Sequence, residues 1–543
     1  MSSTPVGAHP APDAHGAAPG THGAHDKGLR RNAIGLGRIV ALGLASVAPA
    51  YSLAVTLGFV VGAVGLQTPA AFLLGFIPIL FTAFAFRDLN QVMPDCGGVF
   101  VWITRALGPV AGWFFGGWVP QIATFIATAA LAEVASVYLF DAVGLEAIAA
   151  NPLATTSFAV VLIAISAAIA VRGIELAAWV QYALIALQIV AIGGFCVGAF
   201  IAMSNGTAPG AGTTPSLDWF NPFAVSDPGG LVGGVILCLF IYWGWDALIS
   251  VNEETTDRSR TPGRAVMIST VILLVLYCGA SVAAIGFGGI DLITDPKNIN
   301  DVLSVLGPMA TGEVFGRVIT LAIGLSALAA LFTVAVSTPR SWLSMATYKA
   351  LPSAIRRVHR IHRTPHVATY WWAGISIATI VLLTLLATDF IGLAILAIGV
   401  MIAAYYAVTA ISAIVYFAPD IRRNVGRLIV AGILPGLGAV MMVIAFVVSA
   451  VQMAAPDYVG ASILGIGTVF WIGIGGLVLG VIVTYALRPY FRDFFGGRTI
   501  PTGKVGDTDF VIADPVDSPV VRGDANADLA DLETDSTLIR EER

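Results

Sequence analysis

The sequence predicts an all-α integral membrane protein of about twelve transmembrane helices, and three observations lead there. Hydrophobic residues are 57% of the chain against 11% charged, and the mean hydropathy is +0.86. Apolar stretches of roughly 17 to 25 residues, the length that crosses a bilayer as a helix, recur along the chain. Lysine and arginine gather in alternate loops between them, the asymmetry that orients membrane helices. A water-soluble domain is excluded, since so few polar side chains could not solvate a chain of this size.

In order, the expected spans are Ile34 to Leu66, Ala70 to Phe86, Val110 to Leu139, Thr155 to Val171, Leu176 to Met203, Leu231 to Val251, Val266 to Phe287, Val318 to Val336, Val367 to Ala387, Phe390 to Phe417, Leu428 to Ala454 and Ile463 to Leu487. Residues 1–33 read as a disordered tail, because the run to Gly28 is rich in His, Ala, Gly and Pro and lacks the apolar core of a cleavable signal. Residues 34–488 form the membrane domain. Beyond Tyr490 the chain turns acidic and poor in large apolar residues, so 489–543 reads as a second tail unable to fold alone.

Taking the spans in alternation, one side collects Lys27, Arg30, Arg31, Arg87, Arg105, Arg172, Arg258, Arg260, Arg264, Lys349, the arginines from Arg356 to Arg363, and Arg422, Arg423, Arg427, Arg488, Arg492 and Arg498; the other holds Lys297 and Arg317. Both tails are therefore expected in the cytoplasm, with the protein in the inner membrane. The net charge of −5 comes largely from the C-terminal tail and indicates no nucleic-acid partner. Cys96, Cys196, Cys238 and Cys278 have no metal or disulfide spacing, and His359, His362 and His366 belong to a basic loop, so no metal or cofactor is expected.

Two spans carry breaks. The first reads Gly43-Leu44-Ala45-Ser46-Val47-Ala48-Pro49; Pro49 removes a backbone donor and clashes one turn back, so the helix bends or unwinds before it. Ser46 could cap the resumed helix, whose amide end favours an anion; a plain proline kink explains Pro49 equally well. The sixth span reads Tyr242-Trp243-Gly244-Trp245-Asp246 and ends at Glu253-Glu254. A glycine and a carboxylate at membrane depth belong against a cavity, not lipid. Unwound carbonyls there would accept hydrogen bonds from an amine, and Tyr242, Trp243 and Trp245, with Phe240 just before them, offer aromatic faces to a cation or pack as a cluster.

Three blocks now resemble the amino acid, polyamine and organocation transporter superfamily: Leu89 to Gly112 (LNQVMPDCGGVFVWITRALGPVAG), Tyr242 to Arg264 (YWGWDALISVNEETTDRSRTPGR) and Arg340 to His366 (RSWLSMATYKALPSAIRRVHRIHRTPH). The resemblance covers Ile34 to Arg488. It implies two inverted five-helix repeats, about 34–203 and 231–417, with further helices in 428–487, and uptake of amino acids or amines by alternating access. It puts the family's carboxylate-binding segment on Val47-Ala48-Pro49, where many members have a Gly-Thr-Gly type run. Ala-Pro here is more like certain polyamine importers. In the fifth span, where some proton-coupled members have lysine, this chain has Gln188, which cannot titrate.

Candidates for ion coupling are then the carboxylates at depth, Asp246 first and Glu133 in the third span second, each set against a structural hydrogen-bonding role. Glu253 and Glu254 read best as an inner-gate or loop ion pair with the nearby Arg258, Arg260 and Arg264. Ser337 and Thr338 in the eighth span could ligate sodium or pack between helices. No phosphate-cradling loop of a primary pump is present, every histidine lies outside the spans, and no polar stripe of a channel runs along several helices. The expected function is a secondary amino acid permease, with amine or polyamine import as the alternative and a transporter-derived sensor as the alternative of another class.

Overall fold

The computed structural model of the protein describes residues 27–209, 214–225, 227–386, 390–456 and 462–507. Eleven of its segments are helices long and apolar enough to cross a membrane. The first, Leu36–Val92, has 57 residues, nearly three times the length that the ~30 Å hydrocarbon core requires. It breaks at Gly65 (φ +61°) and a 3₁₀ turn, Gly65–Gln67, and so holds the first two expected spans. The remaining ten expected spans each fall on their own helix. The last begins at Thr468 and not at Ile463, because Ser462–Ile463 pairs with Ile466–Gly467 in a short hairpin before it.

Helix starts follow local chemistry. Asn151 accepts from the backbone N–H groups of Leu153 and Ala154 ahead of Pro152–Arg172, and Asp227 does the same for Gly229 and Gly230 ahead of Pro228–Ile241, satisfying donors that a helix leaves open. The helices then sort by burial. In the most apolar stretch of span 10 (Phe390–Tyr416) 83% of residues are buried, and in spans 3 and 8 more than 70%, against 28% in spans 9, 11 and 12. Spans 1, 3, 8 and 10 are therefore the interior of the bundle, and the outer helices turn side chains such as Leu385, Val440 and Ile482 outward, a surface that lipid but not water accommodates.

The first and the last described segments close over the same end of the bundle. The expectation of a disordered tail through residue 33 fails for the described part: Leu29 and Ile34 are buried, and the N–H groups of Ala33 and Ile34 donate to Glu254 O at 2.8 and 3.1 Å. Lys27 inserts its ammonium between Asp95 and Glu253. At the other terminus, Phe494 stacks on Phe100 with ring centroids 5.3 Å apart. Ile500 is buried, and Arg105 Nη1 donates to Pro501 O at 2.6 Å. Packing thus begins the C-terminal segment, through apolar residues the overall acidity of 489–543 conceals; residues 1–26 and 508–543 lie outside the described set.

Candidate functional site

Span 1 is two helices, Leu36–Val47 and Pro49–Val64, joined by Ala48 at φ 51° and ψ 62°. A left-handed conformation at a residue bearing a Cβ costs about 1 to 3 kcal/mol and persists only where the surroundings hold it. The Ala48 N–H donates to Ala45 O at 3.1 Å, and Ser52 Oγ donates to Val47 O at 2.7 Å across the break. Span 6 breaks in the same manner: Pro228–Ile241 ends, Gly244 takes φ +116°, and Trp245–Glu254 continues as a ten-residue 3₁₀ helix. Runs of 3₁₀ geometry beyond three or four residues are uncommon and mark strained or hinging backbone.

The two breaks touch. A Cβ on Gly244 would stand 2.7 Å from Ser46 O, so no other residue fits there without displacing the first helix. Ser46 Oγ lies 2.8 Å from Gly43 O and 2.8 Å from Gly244 O. Ser46 therefore ties the broken helices together and does not cap the resumed one, correcting the expected role. Two of the freed carbonyls of span 6 are occupied: Tyr277 OH donates to Ile241 O at 2.9 Å, and Gly244 O receives Ser46 Oγ and the Ala247 N–H. The side chain of Asp246 adds an anionic acceptor beside them.

Beside this contact lies a cavity of about 100 Å³ lined by Ser46, Trp243, Gly244, Asp246, Ser337 and Thr338, with Gln121, Thr124 and Tyr405 among the other walls. Among the described residues Asp246 is its one carboxylate, and no basic side chain lines it. Tyr405 OH donates to Asp246 Oδ2 at 2.7 Å and accepts from Trp243 Nε1 at 2.6 Å. A smaller cavity of about 30 Å³ adjoins, shares Ser46 and Trp243, and adds Val47, Ala48 and Phe240.

A sequence model of the amino acid permease family matches residues 33–477. The chain belongs to the amino acid permease family. Over 245 residues this permease is 28% identical to the low-affinity putrescine importer PlaP of Escherichia coli K12, covering 45% of this chain and 51% of that one. It is 26% identical over 227 residues to the branched-chain amino acid permease BcaP of Lactococcus lactis subsp. cremoris, covering 40% and 48%. A transporter of Mycobacterium tuberculosis described as uncharacterized is 24% identical over 441 residues, 80% of this chain and 87% of its own. The matched region thus spans about half the length of the first two relatives.

Of the residues singled out in the sequence, the permease brings Ser46, Val47, Ala48, Phe240, Trp243, Gly244, Asp246, Ser337 and Thr338 to the two cavities. Pro49 starts the resumed helix without lining either one. Tyr242 and Trp245 point away into packing. Tyr242 donates to Phe72 O at 3.2 Å beside Tyr277, and Trp245 packs edge-on against Phe86 at 4.9 Å.

Glu133 lines neither cavity; the hydroxyls of Thr155 and Thr156 donate to its carboxylate, a hydrogen-bonded link between spans 3 and 4. Gln188 accepts from Ser326 Oγ at 2.7 Å, and the same hydroxyl accepts from the Tyr51 N–H at 3.3 Å, tying span 5 to the resumed half of span 1 through span 8. Glu253 and Glu254 do form ion pairs, but with Lys27 and Arg340 and not with the expected loop arginines. Arg340 also holds Glu254 Oε1 through Nη2 at 3.0 Å, and both side chains are 1% exposed. The partners that sequence reasoning missed are Tyr405, Lys27, Asp95 and Arg340. Tyr405-Tyr406 inside an otherwise apolar span was the available signal for the first.

Proposed function

We propose that this permease is a secondary transporter of the cytoplasmic (inner) membrane, with both chain ends on the cytoplasmic side, that takes up an amino acid by alternating access. The observation that carries the reading is the backbone contact of Ser46 and Gly244 at two helix breaks, beside a cavity whose one carboxylate is Asp246. The breaks fall in the first helix of each expected half, 34–203 and 231–417, the arrangement from which two inverted repeats rock about a shared site. Asp246 receives the substrate ammonium. Uptake is coupled to protons or sodium or runs as exchange; Ser337 and Thr338, on the same cavity, are the candidate sodium ligands.

A second reading, import of an organic amine, is favoured by the state of the amides where span 1 resumes. Pro49 has no N–H, the Tyr51 N–H is directed to Ser326 Oγ, and the Ser52 N–H donates to Ala48 O at 2.8 Å. Few amides remain for a substrate carboxylate. The names of the relatives point both ways, to branched-chain amino acids and to putrescine.

The test is accumulation of labelled amino acids and amines in proteoliposomes under imposed pH or sodium gradients. Transport predicts concentration above equilibrium that Asp246→Asn abolishes. Binding without accumulation would instead mark a sensor.

A further inference from the structure

The cavity that holds Asp246 does not end in polar protein. Ser46, Ala127, Leu131 and Trp243 line both it and the neighbouring smaller cavity, which is walled further by Ala130, Phe240, Ile395 and Ile398. Among the described residues no carboxylate and no basic side chain lines this second space. Two of its hydroxyls are already engaged in the backbone of span 1, since Ser46 Oγ lies 2.8 Å from two carbonyls and Ser52 Oγ donates to Val47 O at 2.7 Å; the phenol of Tyr51, a buried residue, is the third hydroxyl in its lining. At about 30 Å³ it has room for two or three water-sized spheres of ~10 to 15 Å³ each. That suits a short or branched alkyl group and not a large ring.

We infer that the substrate carries a single ammonium and a compact apolar body, the ammonium against Asp246 and the alkyl group among Leu131, Phe240, Ile395 and Ile398. The inference rests on the reading of Asp246 as the ammonium site and narrows it. A solute with an ammonium at each end can neutralise one of them on Asp246. Its other end enters a space without a counter-charge, and an ion stripped of water there has no compensating partner. An alkyl end gains from the same space by leaving water. The chemistry is shared by aliphatic amino acids and by the aliphatic monoamines that lack their carboxylate.

The test is thermal-shift titration of the purified full-length protein with leucine, with isopentylamine, which is leucine without its carboxylate, and with 1,4-diaminobutane. At least one of the first two should stabilise the protein at a concentration tenfold or more below that needed for the diamine. Leucine in the lead identifies an amino acid, isopentylamine in the lead an amine, and both outcomes support the single-ammonium site. The concentration needed for the response should rise at least tenfold in Asp246→Asn. In Ile398→Asp, which adds a carboxylate to the apolar space, the diamine should gain tenfold relative to the parent; the ranking in the parent protein is informative even where this variant folds poorly.

A diamine equal to or ahead of the other two, with its response still weakened in Asp246→Asn, overturns the inference and leaves the ammonium site standing. No response to any of the three overturns both.

Discussion

Lys27 Nζ lies 2.7 Å from Asp95 Oδ2, with side chains only 1% and 7% exposed, although 68 residues separate them. Tyr348 OH and Ser344 Oγ each donate to the same carboxylate at 2.6 Å, and Glu253 pairs with the ammonium from the far end of span 6. The residues after Asp95, Gly97 and Gly98, line the Asp246 cavity, and Ile249 and Ser250 line it from span 6. Lys27 thus bolts together the two segments that floor that cavity, and Cys96, buried beside it, donates through Sγ to Arg340 O at 3.3 Å.

Substituting Lys27→Met should open this floor. It leaves two carboxylates buried without their cation, a loss of about 3 to 5 kcal/mol for such pairs. Burial raises the Cys96 thiol well above its ordinary range, so the thiol is inert until exposed. The measurement is maleimide labelling of Cys96 in a protein whose other three cysteines are alanine: slow in the parent, at least tenfold faster in Lys27→Met. Equal rates in a variant that still folds would remove Lys27 from the closure.

The pH dependence of the same protection follows in sign. Burial works against the Lys27 ammonium, but Asp95 and Glu253 outweigh it and its pKa stands well above the usual lysine value, so its contribution is lost only as pH rises through that raised value. Burial likewise works against the Asp95 carboxylate, but Lys27, Ser344 and Tyr348 hold its pKa below the usual value, so its contribution is lost only as pH falls through that lowered value. Melting temperature in the parent should therefore show no step attributable to this pair from about pH 5 to 9. In Lys27→Met, Asp95 keeps its burial without its cation, and stability should instead climb as pH falls. A parent that loses Cys96 protection near pH 6 would contradict this.

Arg340 and Glu254 allow a cleaner energetic test. Both are buried, and the guanidinium meets the carboxylate through Nε and Nη2 while Nη1 donates to Val336 O at 2.6 Å. Removing either partner strands a charge, so Arg340→Met or Glu254→Gln alone should cost about 3 to 5 kcal/mol. Together they should cost clearly less than the sum, by a coupling of order 1 to 3 kcal/mol. Denaturation of the four proteins in detergent measures it, and additive losses would mean that the pair is not a unit.

What could be read in the sequence follows from the range of the forces involved. Span positions rest on runs of apolar residues, and Pro49, Gly244 and Asp246 break local rules, so each is visible in a short window. Ion pairs between distant segments leave no such trace. Proximity in sequence pairs Glu253 and Glu254 with the nearest arginines, whereas their partners are 226 and 86 residues away. Direction was also hidden: Tyr242, Trp243 and Trp245 look equivalent in sequence, but the turn at Gly244 sends only Trp243 to the cavity.

Gly244→Ala tests the crossing itself. The new methyl would sit 2.7 Å from Ser46 O, at a φ of +116° that side-chain-bearing residues rarely adopt. Strain and overpacking of this kind cost about 1 to 3 kcal/mol each. Uptake should fall at least tenfold with a lowered melting temperature. Ser46→Ala, which removes the hydroxyl at Gly244 O but adds no bulk, should cost only about 1 kcal/mol. The reverse ranking would show that the backbones do not meet as described.

Tyr405 touches Asp246 from span 10 and is held in turn by Trp243 Nε1, so its effect on binding should pass through the carboxylate. A hydrogen bond to a charged acceptor contributes about 1.5 to 3 kcal/mol, so Tyr405→Phe should raise KM for uptake by roughly tenfold or more with a smaller change in maximal rate. With Asp246→Asn already in place there is no charge left to orient, and adding Tyr405→Phe should weaken ligand binding little further. Binding of the double variant by thermal shift decides the point. If the two losses multiply, Tyr405 meets the substrate on its own account, and the ammonium contact must be shared between the carboxylate of span 6 and the phenol of span 10.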